Sequence, residues 1–145
     1  MFEDTDLTAN MEDYIETIAL LSENSRVVRV KEIAASLNIK MPSVSAALSK
    51  LKEKGLIDYE KYGYVELTSV GREIAEKVYS RHKTIADFLT VILNFSADEA
   101  NDEACKLEHY LSSKSCRQIA KFMKFYKSEQ STDSKWISRM KSIVK

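Results

Sequence analysis

The chain has 145 residues, 44% of them apolar and 30% charged, with 22 Lys and Arg balancing 22 Asp and Glu. That length suits one domain or two small ones, three Gly and one Pro are too few for a turn-rich all-β protein, and no apolar run reaches the eighteen or so residues of a membrane span. Two Cys make no disulfide framework, and the acidic opening MFEDTDLTANMEDYIE has no basic-then-apolar leader, so a cytoplasmic protein with no membrane partner is expected.

Met11, Tyr14, Ile15, Ile18 and Leu21 recur at helical spacing and predict a first helix from about Thr8 to Ser22, with Asp13 and Glu16 on its other face. Val30 to Leu37 reads as a short second helix stopped by Asn38 in a left-handed conformation. Pro42 suits the first turn of a third helix, which runs through Val44, Ala47, Leu48 and Leu51 to Gly55. The segment LIDYEKYGYVEL (56–67) predicts a β-hairpin turning at Tyr62-Gly63. Thr68 then caps a long helix to about Asn94, striped by Ile74, Val78, Ile85, Leu89 and Ile92. Ser96 caps another from Ala97 to about Leu111. A helix over 113–127 carries Ile119, Phe122, Met123 and Tyr126 on one face, 128–134 is a polar linker, and Trp136, Ile137, Met140 and Val144 predict a last short helix. The expected class is mainly α: a winged helix-turn-helix domain over 1–70, then an all-helical domain over 71–145.

Zero net charge hides an alternation. Residues 1–25 carry seven acids and no Lys or Arg, 24–64 a net +4, 96–111 a net −4 and 112–145 a net +7. Segment charge therefore says more about partners than the total does. Helix, turn, helix, hairpin is the order of a winged helix-turn-helix, in which the third, Pro42-led helix is expected to enter a DNA major groove and the hairpin to lie against the backbone. Lys40, Ser43, Ser45, Lys50 and Lys52 are placed to meet phosphates around the Pro42-led helix, and Lys61 at the hairpin tip adds a contact. Ala46 can touch a thymine methyl but donates no hydrogen bond, so base readout is expected to be sparse. One such domain reads little DNA, so a homodimer on a near-palindromic operator is expected.

The second half holds Cys105-Lys-Leu-Glu108-His109. If the helix extends through them, positions i, i+3 and i+4 bring a thiolate, a carboxylate and an imidazole to one face. Such a donor set suits a transition metal better than calcium or magnesium. Asp13 and Glu16 offer two more carboxylates at i, i+3, and His82 another imidazole, so three helices supply ligands for one or two metals. Taken singly, each of these side chains also reads as a core or solvated residue. Two other functions use the same residues. Cys105 can act as an oxidation or small-molecule sensor, although its acidic neighbours disfavour the thiolate. A di-metal carboxylate enzyme wants Glu-x-x-His on two helices, and this chain has none, so no enzyme activity is expected.

The segments MEDYIETIALL (11–21), PSVSAALSKLKEKGLIDYEKYGYVELTSVG (42–71), YSRHKTIADFL (79–89) and DEACKLEHYLS (102–112) together resemble the diphtheria toxin repressor family, in order, over roughly residues 8–127. The chain is most similar to its short branch, the manganese transport regulators. The resemblance implies a winged helix followed by a helical metal-binding and dimerisation domain, with metal-activated repression of metal-uptake genes. By motif position it implies Asp13, Glu16, His82, Cys105, Glu108 and His109 as metal ligands. Cys105 stands where manganese regulators have Glu and iron regulators have Cys. The carboxylate of Asp13 favours manganese and the thiolate of Cys105 favours iron, cobalt or zinc. The expected cofactor is Mn(II) or Fe(II), with Zn(II) or Co(II) able to bind in vitro. Ala86 and Asn101 stand where the longer iron regulators have further ligands, and Ala46 where they have a base-contacting Gln.

Overall fold

A computed structural model of the chain describes residues 5–25, 27–61 and 63–145. Its elements are α1 (Ala9–Asn24), α2 (Val30–Leu37), α3 (Met41–Glu53), β1 (Ile57–Tyr59), β2 (Val65–Leu67), α4 (Ser69–Val91), α5 (Ala97–Leu107), α6 (Ser113–Glu129) and α7 (Lys135–Ile143). The chain forms two compact units, Thr5–Val78 and Tyr79–Lys145, and α4 runs from the first into the second. The expected mainly helical class with a winged helix-turn-helix is borne out.

In the first unit, Thr8 caps α1 by accepting the Met11 N–H at 3.2 Å. Tyr14, Ile15 and Ile18 are fully buried against Ile33, Val44, Leu48 and Leu51, while Met11 and Leu21 pack at the margin. Two helix ends close as their residues dictate. Asn38 takes φ 53°, and the Ile39 N–H reaches the Ala34 carbonyl at 3.0 Å. Gly55 takes φ 72°, and the Leu56 N–H reaches the Leu51 carbonyl at 3.0 Å. Each pattern satisfies the last free carbonyls of a helix and turns the chain sharply. That turn aims Leu56 into the antiparallel hairpin, where Ile57 faces Leu67 and Tyr59 faces Val65. These four side chains are buried while Asp58 and Glu66 are exposed, the period-2 alternation of a sheet with one covered face. Tyr62, half of the expected hairpin turn, lies outside the described residues. Val28 adds a bridge to Val65, its carbonyl accepting the Val65 N–H at 2.8 Å, which ties the wing to the start of α2.

Thr68 links wing and α4. Its Oγ1 accepts the Gly71 N–H at 3.1 Å and donates to the Gly55 carbonyl at 2.7 Å. Gly71 is buried so close to this junction that a Cβ there would overlap the Leu56 carbonyl oxygen.

In the second unit, Ile85 and Leu89 of α4 pack on Ala100 and Ala104 of α5, while Ile92 packs with Met123, Tyr126 and Ile137 of α6 and α7. Helix α4 stops at Val91, a few residues short of the expected Asn94. Asn94 turns left-handed (φ 62°), and the Phe95 N–H reaches back to the Leu89 carbonyl at 3.0 Å. A reciprocal cap opens α5: Ser96 Oγ accepts the Glu99 N–H at 3.2 Å, and the Glu99 carboxylate accepts the Ser96 N–H at 3.0 Å. The Ser96 N–H, and the Ser96 hydroxyl donating to the same carboxylate oxygen at 2.8 Å, hold the Glu99 carboxyl below its usual pKa. Helix α5 ends at Leu107, not near Leu111. The chain turns through 108–110 so that Ser112 can cap α6, its Oγ accepting the Ser115 N–H at 3.2 Å. Helix α6 runs two residues past its expected end, and Glu129 ties α7 back through Ser134 Oγ (3.1 Å) and Trp136 Nε1 (3.4 Å).

Candidate metal centre and nucleic-acid interface

His82 sits on α4 and Cys105 on α5, with Glu108 at the α5 C-cap and His109 in the turn that follows. The expected arrangement of Cys105, Glu108 and His109 on one helix face is therefore corrected at its last member. The early end of α5 takes His109 off the helix. Within the second unit the groups still converge. His82 Nδ1 lies 2.8 Å from Glu108 Oε2 and 3.7 Å from Cys105 Sγ. His109 Nε2 stands 3.4 Å from Glu108 Oε1. One ligand atom each from His82, Cys105 and Glu108 can be chosen so that all three lie within 4.8 Å of one another.

The donor set fits a transition metal, and one atom argues for a cation in particular. The Glu108 side chain is 0% exposed, yet its Oε1 makes no hydrogen bond to any described residue. A buried carboxylate oxygen without a hydrogen bond costs free energy, and a bound cation is one partner that would offset it. Cys105 is exposed and His82 partly so, which leaves the cluster open on one side. Nitrogen, sulfur and oxygen together exclude a calcium-like all-oxygen cage.

Asp13 and Glu16 lie one turn apart on α1, in the first unit, and both are half-buried. Cys116, read from the sequence as structural, is buried. Asn101 is no obvious metal ligand, but its Oδ1 lies 3.2 Å from His82 Nε2. The signal was present in the sequence, since Asn101, Cys105 and Glu108 fall at i, i+4 and i+7 on one stripe.

On the first unit, Ser43, Ala46 and Lys50 fall at i, i+3 and i+7 and form an exposed stripe along α3, with Lys52 exposed near its end. Lys40 precedes the helix and is exposed, as is Pro42. Ser45 and Pro42 line a cleft of about 820 Å³ together with Lys61 and Tyr64 of the wing. Arg29 and Met41 also line it, and neither they nor Tyr64 stood out in the sequence. The Arg29 guanidinium lies 5.2 Å from the centre of the Tyr64 ring, and its Nη2 donates to the Tyr64 hydroxyl at 3.3 Å. Thirty-five positions separate these two residues, so no local spacing could have paired them.

Residues 6–65 match the iron dependent repressor N-terminal DNA binding domain, and residues 68–137 match the iron dependent repressor metal binding and dimerisation domain. A helix-turn-helix transcriptional regulator of Methanocaldococcus jannaschii is 39% identical over 122 residues, covering 83% of this chain and 98% of that one. The chain belongs to the iron-dependent repressor family. Within it the likeness runs to the manganese regulators. The transcriptional regulator MntR of Oceanobacillus iheyensis is 33% identical over 138 residues, 95% of this chain and 90% of its own. A solved manganese-dependent transcriptional repressor in complex with manganese superposes with a TM-score of 0.74 at 32% identity, over 79% of this chain. The chain spans about half (53%) of that longer protein. The family expected from the sequence motifs is thus borne out. This iron-dependent repressor relative is by class a metal-dependent, DNA-binding transcriptional regulator with a dimerisation domain.

Proposed function

We propose that this protein is a cytoplasmic homodimer that represses metal-uptake genes when Mn(II) or Fe(II) occupies the His82–Cys105–Glu108 cluster, with one or two ions per chain. The observation that carries the reading is the convergence of His82 Nδ1, Cys105 Sγ and the buried Glu108 carboxylate, one of whose oxygens makes no hydrogen bond to a described residue. His109, beside that oxygen, belongs to the same ligand set. Asp13 and Glu16 complete it from α1, an assignment that rests on their residue type, their spacing and the family's motif positions. The manganese named for the solved relative supports Mn(II), while the Cys105 thiolate supports Fe(II) and admits Zn(II) or Co(II) in vitro.

The bound ion supplies positive charge and directional bonds at a point where the chain gathers negative charge. Without that charge, Asp13, Glu16, Glu108 and the Cys105 thiolate repel one another wherever they approach. Neutralising that charge therefore favours the DNA-binding form of the dimer. That is a shift in population rather than a new fold. Lys40, Pro42, Ser43, Ser45, Ala46, Lys50 and Lys61 then meet a near-palindromic operator. The lysines bind phosphates, Ser43 and Ser45 add short polar contacts, and Ala46 packs on a thymine methyl.

Titrating Mn(II), Fe(II), Zn(II) and Co(II) anaerobically while measuring operator binding tests this. DNA binding that rises with metal and falls on chelation supports the reading, and His109→Ala or Asp13→Ala should remove the response while leaving a folded dimer. DNA binding that chelation leaves unchanged would instead favour a sensor acting through Cys105.

A further inference from the structure

His82 is held at both ring nitrogens, and the two contacts differ in kind. Nδ1 points to the cluster, 2.8 Å from Glu108 Oε2 and 3.7 Å from Cys105 Sγ. Nε2 points to Asn101 Oδ1 at 3.2 Å. A neutral imidazole has one N–H and one lone pair, and the nitrogen that donates a hydrogen bond is not the one that binds a metal. The Asn101 carbonyl oxygen and the Glu108 carboxylate can both only accept, so in the metal-free chain each ring nitrogen faces an acceptor, and Asn101 decides the donor nitrogen only once an ion takes the place of the Nδ1 proton.

We infer that Asn101 is a positioning residue that, when a metal takes Nδ1 of His82, holds the remaining ring proton on Nε2 and fixes the ring with Nδ1 toward the ion. This rests on the metal-binding reading of the cluster and adds to it. Asn101 does not ligate the ion; it selects which nitrogen does. Its place on α5 supports the role. Asn101, Cys105 and Glu108 lie at i, i+4 and i+7 on one stripe, so a single rigid element carries two candidate ligands and the acceptor that orients a third on α4. Asn101 is exposed, whereas Glu108 at the other end of the ring is fully buried. The imidazole is thus pinned from solvent and from core, and removing Asn101 frees the ring at its solvent side while Glu108 still holds the other.

Outer-shell partners of metal-bound histidines typically contribute 10–100-fold to metal affinity. The test compares Asn101→Leu, which has no acceptor, with Asn101→Asp, which keeps one. Co(II) affinity is read from the thiolate-to-cobalt absorption band, and the His82 tautomer from its ring 15N shifts in the Zn(II)-loaded protein. Expected are Nδ1 bound and Nε2 protonated in the natural chain and in Asn101→Asp. Asn101→Leu should lose about 10–100-fold in Co(II) affinity with its melting temperature in chelator unchanged. If the natural chain binds Co(II) and Asn101→Leu binds it equally well with the same tautomer, Asn101 has no such role. A zinc-bound Nε2 would overturn the assignment as well. If the natural chain shows no cobalt band at all, the metal-site reading itself fails, and this inference falls with it.

Discussion

Glu108→Gln separates the charge of the buried carboxylate from its shape. The side chain is fully buried, with Oε2 against His82 and Oε1 without a hydrogen bond among the described residues. Gln has the same outline, and its amide can still hydrogen-bond His82 Nδ1. The metal-free variant should therefore fold, because the change keeps the shape and a hydrogen bond to His82 while removing the cost of desolvating a buried charge. Metal linkage behaves otherwise. A ligand at 100 times its Kd stabilises the native state by about 2.7 kcal/mol, which for a chain of this size raises Tm by roughly 5–11 °C. If losing the carboxylate weakens binding 100-fold, the same metal concentration gives only about 0.4 kcal/mol, or roughly 1–2 °C. Thermal melts followed by circular dichroism, with and without Mn(II) or Co(II) in a non-chelating buffer, read this directly. A Glu108→Gln variant that keeps most of the metal-induced rise would refute the placement of the ion at this carboxylate.

Three other outcomes follow from the packing and the charges. Gly71→Ala should destabilise the first unit by about 1–3 kcal/mol in urea unfolding, because its Cβ would overlap the Leu56 carbonyl oxygen and backbone must move. Ser96→Ala should lower Tm at neutral pH and do so less in acid. The cap holds the Glu99 carboxyl below its usual pKa, so its stabilisation is present above the unfolded-state value and lost as pH falls through the folded one, which calorimetry from pH 7 to pH 3 will show. Lys50→Ala and Lys61→Ala should each weaken binding evenly across DNA sequences and reduce the slope of log K against log salt by about 1 in anisotropy titrations.

Most of the fold was legible because its signals are local. Asn38 and Gly55 are residues that accept positive φ, and both end helices where expected. Ser96-x-x-Glu99 announces its own cap. The end of α5 was not legible. Nothing between Leu107 and Leu111 breaks a helix, and the turn there comes from the Ser112 cap of the next one. Gly71 was silent for a similar reason, since its need for a missing Cβ comes from Leu56, fifteen positions away. At the candidate metal centre the residue types were readable and their partnerships were not. Cys105-x-x-Glu108-His109 marks a candidate ligand set, whereas the two-sided hold on His82 joins α4 to Asn101 and Glu108, nineteen and twenty-six residues on. Arg29 and Tyr64 show the same limit beside α3 and the wing.

The most direct test of metal-controlled DNA reading is reciprocity. Mn(II) affinity should be measured by calorimetry on the free protein and on its complex with a duplex selected by the metal-loaded form. If metal tightens operator binding 100-fold, the coupling is about 2.7 kcal/mol, and the DNA complex must bind Mn(II) 100-fold more tightly than the free protein does. Equal affinities in the two states would contradict the account, however well each ligand binds alone.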